Sequence, residues 1–228
     1  MQLLKTDDGS YTLIDQGLNE SYHSKFGALT ESDRVYLHNS GVYRRLVDRT
    51  PTAILEIGFG TGFNFVHTAR HAISSGCPLS YTAYEFAPLK KSAVLQVLLH
   101  NAADSPELCE FTANAIERIA TYDTQLTMSF DDQTDLHLIC ADATSQILPA
   151  ETYDAIYLDA FSTKNNPALW EAGFLEKLHA AAGPDAVLAT YCVNGGFRSA
   201  LNAAGFEWRK LPGPKGKREV LIAKPAIT

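Results

Sequence analysis

The stretch from Thr52 to Asn64, T-A-I-L-E-I-G-F-G-T-G-F-N, constrains this chain more than any other. Ala53 to Ile57 is an apolar run of strand length, rich in branched side chains and interrupted only by Glu56. Glycines follow at Gly58, Gly60 and Gly62, and then a segment of helical character from Phe63 to Ile73. Glycine permits positive φ and lets a ligand approach bare backbone, and the first N–H groups of the following helix are unpaired donors. A strand that stops in alternate glycines and resumes as a helix therefore reads as a binding turn. The alternative is a tight strand–helix connection in an α/β protein with another role. A dinucleotide fingerprint requires glycine or alanine at its third position, and Phe63 stands there.

The remaining pattern fits an α/β protein. Strand-like runs at Leu79–Tyr84, Leu136–Cys140, Tyr153–Leu158 and Ala186–Tyr191 alternate with helical tracts. One tract starts at Pro88, another at Ser105-Pro106, a third holds Trp170 and Leu175 to about Ala182 and a fourth opens at Gly195-Gly196, and two closing strands surround Leu211 to Gly216. Thr127–Phe130 is read as a hairpin partner of Leu136–Cys140, and Gly183-Pro184 as a turn. Alternation of this kind predicts a doubly wound, Rossmann-like sheet of seven strands, mostly parallel with an antiparallel edge. Residues 1–50 precede the first core strand, with a hairpin turning at Asp8-Gly9 and one helix from Glu31 to Leu46. They are expected to form an extension capping the site, with residues 51–228 as the main domain.

Three acids each end a strand: Glu85, Asp142 (followed by the small Ala143) and Asp159. Ligands of open α/β sheets bind at the carboxyl ends of the strands, so these acids and the glycine turn converge on one crevice. A carboxylate only accepts hydrogen bonds, which suits Glu85 to ribose hydroxyls. His67 and His71 lie four apart on one helical face, but no third ligand follows at a recognisable spacing, so no metal is expected. No apolar run approaches the ~18 residues of a membrane span. The four cysteines are scattered without a C-x-x-C pair, in keeping with free thiols in the cytosol.

Net charge is −7, yet seven of the 19 basic residues lie from Gly196 onward, beside only Glu207 and Glu219. A basic patch on an acidic body suits transient handling of a polyanion.

The motif E-x-G-x-G-x-G-x-N resembles the first motif of S-adenosylmethionine-dependent methyltransferases. Further blocks follow in order: Tyr22-His-Ser with Gly27-Ala-Leu-Thr-Glu31, Glu56 to Asn64, Asp159-Ala-Phe with Asn166-Pro-Ala-Leu-Trp170, and Gly216-Lys-Arg-Glu219. Together they resemble the methyltransferase domain of the MnmC family in its stand-alone form. The resemblance covers nearly the whole chain, departing at Ala160, where the family has glycine, and at Asn165, which separates Lys164 from Asn166-Pro167.

The family methylates the exocyclic amine of 5-aminomethyl-2-thiouridine at the tRNA wobble position. The resemblance implies S-adenosylmethionine as cofactor, held by Tyr22, Glu56, Gly58, Gly60, Gly62, Asn64, Glu85, Asp142, Ala143 and Asp159. It also implies a tRNA anticodon arm as partner, met by Phe161, Asn166, Lys215, Lys217 and Arg218. Asp159 is the expected catalytic residue, accepting or orienting a proton of the attacking amine. The flavin-dependent half of bifunctional MnmC is expected to be absent. A same-fold enzyme acting on a small-molecule or protein amine, a non-catalytic adaptor, and an aminopropyltransferase are the competing readings.

Overall fold

The computed structural model describes residues 1–226. A small antiparallel sheet comes first, built from β1 (Gln2–Lys5), β2 (Tyr11–Asp15) and β3 (Glu20–Ser21). Its first turn forms at Asp8-Gly9, where Asp8 Oδ1 accepts from the Ser10 N–H at 3.0 Å and Gly9 takes φ +87°. The expected single helix over 31–46 is broken into three pieces. Helix α1 (Ala28–Glu31) runs into a wider π-type segment (Ser32–His38), where the Asn39 N–H reaches back five residues to the Arg34 carbonyl. The chain then turns at Gly41, left-handed with φ +84°, before α2 (Val42–Val47). The Asn39-Ser40-Gly41 run is poor in helix formers, and glycine accepts that conformation without steric cost.

The main unit alternates as expected. Strand β4 (Thr52–Ile57) leads to α3 (Phe63–Ser75), β5 (Leu79–Glu85), α4 (Lys91–Asn101) and α5 (Pro106–Thr121). Then come β6 (Gln125–Ser129), β7 (Thr134–Cys140), β8 (Tyr153–Leu158), α6 (Ala172–Ala181), β9 (Ala182–Thr190), α7 (Gly195–Ala203), β10 (Phe206–Pro212) and β11 (Glu219–Pro225). The sheet has eight strands rather than seven, in the order β10-β11-β9-β8-β4-β5-β7-β6. Five central strands are parallel, and antiparallel pairing closes both edges, through β6 on β7 at one side and β11 with β10 at the other. The eighth strand is the hairpin arm at 125–129, which pairs with β7 as expected and so also joins the sheet as its edge. Gly183-Pro184 lies inside β9 rather than in a turn. The register shift between β8 and β9 falls there, so proline's missing N–H costs no regular ladder bond.

Strand β4 is central and covered on both faces, which is why it reads as a nearly unbroken apolar run. On one face α3, α4 and α5 bury Phe63, Phe65, Val66, Val97, Leu108 and Ile116. On the other, α6 and α7 bury Phe174, Leu175, Leu178 and Leu201. Leu13, Val35, Tyr36, Val42 and Leu46 belong to the first of these cores, so the initial fifty residues share an interior with the sheet. The connection out of β4 goes to β5 on one side, while β8 lies on the other. The carboxyl ends of β4 and β8 therefore form the topological switch point where such folds leave a crevice.

Candidate functional site

A cavity of about 780 Å³ opens at that switch point, a size suited to a nucleotide-sized ligand. Its floor is the turn after β4. Gly58 has φ +92°, and a Cβ there would stand 2.8 Å from the Asp159 carbonyl oxygen and 2.9 Å from the Ala160 Cα. At Gly60, φ +52°, a Cβ would meet the Tyr22 ring at 2.8 Å. The turn thus exists only because these positions lack side chains. The Gly60 N–H donates to Glu85 Oε2 at 2.8 Å, tying the ends of β4 and β5 together, and the Ala87 N–H donates to the other oxygen. Each carboxylate oxygen keeps lone-pair capacity for a ligand. Asp142 Oδ1 accepts from the Thr144 N–H and hydroxyl and shapes the short turn at Ala143–Ser145. Tyr22, Glu85, Asp142, Ala143, Asp159, Phe161 and Asn166 all line the cavity with Gly58 and Gly60.

Glu56, Gly62 and Asn64 lie behind this wall and do not line the cavity. Glu56 is fully buried in β4, on the face toward Tyr81, whose hydroxyl donates to Glu56 Oε2 at 2.9 Å. Desolvation, with Asp159 nearby, pushes its carboxyl well above the usual range. Asn64, in the first turn of α3, splits its amide between two carboxylates, donating to Glu56 Oε1 at 2.7 Å and Asp159 Oδ2 at 2.8 Å. Its carbonyl accepts from the Ser32 hydroxyl. Through Asn64, Glu56 and Asp159 are joined in one buried network that buttresses Asp159.

Asp159 follows β8, and its buried carboxylate is hydrogen-bonded on both oxygens, by Asn64 and by the Tyr36 hydroxyl. Burial, reinforced by Glu31, pushes Asp159 up to about 8, and the Tyr36 and Asn64 donors oppose that rise. His23 Nε2 lies 4.0 Å from Asp159 Oδ2, and neither ring nitrogen has a hydrogen-bond partner. Desolvation holds this imidazole below its usual range and hence neutral.

Lys217 behaves differently from an exposed phosphate ligand. Its Nζ turns inward to Glu31 Oε1 at 2.6 Å and stands 3.9 Å from the Tyr191 ring centroid, inside the cavity wall. Lys215 and Arg218 are exposed and do not line it, and Lys215 pairs with Asp7 at 3.1 Å.

The loop from Ala160 to Pro167 forms one side of the mouth. Glu20 of β3 accepts from the Ser162 N–H (3.0 Å), the Ser162 hydroxyl and Asn165 Nδ2 (2.6 Å). The Phe161 ring meets Tyr22 edge-on at 5.0 Å. Trp170 is core: its indole N–H donates to the Phe161 carbonyl, and its ring packs on Phe197. Sequence reasoning did not assign site positions to His23, Glu31, Tyr36, Glu20 or Tyr191. His23 and Glu31 lie within the Tyr22–Glu31 motif, which was the available signal for them. Tyr36 gave none, because its approach to Asp159 spans 123 residues.

A glycine cradle beside strand-end carboxylates, at the switch point of a doubly wound sheet, defines a nucleotide-cofactor α/β protein. The glycine-bared floor and the open lone pairs of Glu85 and Asp142 fit an adenosine carrying a cationic tail. A family described as S-adenosyl-L-methionine-dependent methyltransferase matches residues 86–226. The chain belongs to that family.

Among named relatives, a tRNA 5-methylaminomethyl-2-thiouridine biosynthesis bifunctional protein MnmC from Paraburkholderia phymatum is 33% identical over 213 residues. That match covers 90% of this chain and 32% of the relative. Its namesake from Burkholderia mallei is 32% identical over 233 residues, covering 97% and 35%. The chain therefore spans about a third of the length of these curated relatives. The crystal structure of MNMC2 from Aquifex aeolicus superposes with a TM-score of 0.80 at 24% identity, covering 100% of this chain and 72% of that one. This likeness shows the shared fold. Among the described residues no helix is long and apolar enough to cross a membrane.

Proposed function

We propose that this methyltransferase acts on the exocyclic amine of 5-aminomethyl-(2-thio)uridine at the tRNA wobble position, producing the 5-methylaminomethyl nucleoside in the cytoplasm. The observation that carries the reading is the Asp159 carboxylate, which is buried, hydrogen-bonded by Tyr36 and Asn64, and part of the cavity lining beside Gly58. The names of the MnmC relatives supply the substrate class.

S-adenosylmethionine, when bound, supplies a methyl group already activated by its sulfonium. Gly58 and Gly60 offer bare backbone for its amino-acid end, beside Tyr22. Glu85 accepts from ribose hydroxyls, and Asp142 with Ala143 meets the adenine edge. The chain's remaining task is to present an uncharged amine in line. An alkylammonium arriving at the cavity must lose a proton, and Asp159 is placed to accept it. Its pKa near the working range suits a base of this kind. Phe161 and Asn166 line the cavity on the loop at its mouth, and in this reading they receive the incoming base.

The test is incubation with methyl-labelled S-adenosylmethionine and tRNA bearing unmethylated 5-aminomethyl-2-thiouridine, read by nucleoside mass spectrometry. Label in the wobble nucleoside, lost with Asp159→Asn, is expected. An unlabelled wobble nucleoside, with label instead accepted by a free or protein amine, would overturn the substrate assignment.

A further inference from the structure

Further along α3 from Asn64, outside the lining of the cofactor cavity, lies a second constellation. His67 and His71 share one face of α3, as their spacing requires. Sequence spacing offers no third ligand, but folding supplies one, since the π-type segment carries Asp33 onto the same spot. One donor atom from each of Asp33, His67 and His71 lies within 4.8 Å of the others. His67 Nε2 is 3.2 Å from Asp33 Oδ1, and His38 Nε2 approaches the same oxygen at 3.6 Å.

We propose that Asp33, His67 and His71 form a binding site for an imidazole-preferring divalent cation of the zinc class, with His38 within reach as a fourth donor. Two imidazoles and one carboxylate match the nitrogen and oxygen donors that such ions take. Neutral imidazole, the ligating form, is the ordinary state at neutral pH. Tetrahedral bonds of ~2.0 Å place donors about 3.3 Å apart, which the Asp33–His67 pair already satisfies. Rotation of the partly buried His71 side chain would close the remaining gap. His67 is nearly buried and fixed, while Asp33, His38 and His71 are partly open to solvent and give an ion a way in. A magnesium-like ion is disfavoured, because it prefers oxygen donors and retained water.

The ion would join the segment at 32–38 to α3. Tyr36 of that segment and Asn64 of α3 both hydrogen-bond Asp159. The site would thus clamp together the two elements that hold the catalytic carboxylate.

The experiment strips the full chain with chelator, titrates it with zinc chloride by calorimetry, and follows thermal unfolding. Binding of about one equivalent is expected, with the midpoint raised by roughly 5 to 10 °C at a hundredfold excess over Kd. Magnesium chloride should give neither effect. Asp33→Asn, which preserves side-chain shape, should weaken zinc at least tenfold, and His71→Ala should abolish it. His100→Ala, on α4, should leave it intact. No stoichiometric zinc binding, or equal binding by wild type, Asp33→Asn and His71→Ala, would overturn the site. If His71→Ala fails to fold, Asp33→Asn alone decides the matter.

Discussion

At the scale of single residues, the site is a problem of burying carboxylates. Asp159 and Glu56 share one donor, the Asn64 amide, and burial raises the pKa of both, with Asp159 adding to the rise at Glu56 and Glu31 to the rise at Asp159. A donor to the ionised form of Asp159 lowers its pKa, so removing the Tyr36 hydroxyl should raise it. Tyr36→Phe is expected to shift the rise of kcat/KM with pH to higher pH by about one unit. Asp159→Asn should cut kcat by about a hundredfold or more and abolish that rise. A pH profile unchanged in Tyr36→Phe would remove Asp159 as the titrating group.

Glu56 yields a stability prediction with a definite sign. Its folded pKa lies above its unfolded one, so the native state holds more protons over that window and loses stability as pH climbs through it. Glu56→Gln keeps an acceptor for Asn64 and can donate to the Tyr81 hydroxyl. The variant should therefore match wild type near pH 4 and exceed it increasingly toward pH 8, as urea denaturation at the two values would show. Glu56 was legible from sequence as part of the motif, but its role was not. A strand position shows that a side chain lies in the sheet, whereas which core it faces depends on the neighbours that pack against it.

At the scale of elements, the loop from Ala160 to Pro167 is held by the N-terminal sheet. Three donors of the loop, the Ser162 N–H and hydroxyl and the Asn165 amide, converge on the Glu20 carboxylate of β3. Glu20→Ala leaves these groups without their acceptor and frees the loop that presents Phe161 and Asn166. The expected result is a loss of about 1–3 kcal/mol in stability. KM for tRNA should rise about tenfold, and affinity for S-adenosylhomocysteine should stay within about threefold, measured by calorimetry. A loss confined to cofactor binding would contradict this division of labour. The strands and helices from Thr52 to Ala203 were largely readable, because each carries its own periodicity, glycine stop or proline start. The break at Asn39–Gly41 and the pairing of Glu20 with a loop 142 residues away were not. The first follows a wide helical winding over Ser32–His38 fitted to the core around Tyr36, and the second is a tertiary contact that leaves no local pattern.

At the scale of the whole molecule, charge sets how the proposed tRNA substrate can be met. The body is acidic, at −7 overall, and the basic C-terminal stretch is partly spent on the protein itself. Lys210 pairs with Glu219, Lys215 with Asp7 and Lys217 with Glu31, whereas Arg209, Arg218 and Lys224 make no ion pair among the described residues. Composition alone made the basic excess visible, but which charges stay available became clear only once β10, β11 and their connecting loop were placed beside the N-terminal sheet. That loop reaches the cavity at Gly216 and Lys217, which puts Arg218 and Lys215 beside the mouth. Each phosphate neutralised contributes a salt-dependence slope of about −0.7 to −0.9. With only a few free cations, log kcat/KM for tRNA should fall against log salt with a slope of about −2 to −3, far shallower than that of a dedicated nucleic-acid binder. Arg218→Ala should raise KM for tRNA several-fold at constant kcat and flatten the slope by about one contact. Lys215→Ala should do less, because its ammonium is shared with Asp7. Lys217→Ala should depart from both, lowering kcat without changing the slope, since its ammonium faces Glu31 and Tyr191 rather than solvent. Steady-state kinetics at four salt concentrations separates these outcomes, and a Lys217→Ala effect confined to the slope would return that residue to the RNA surface.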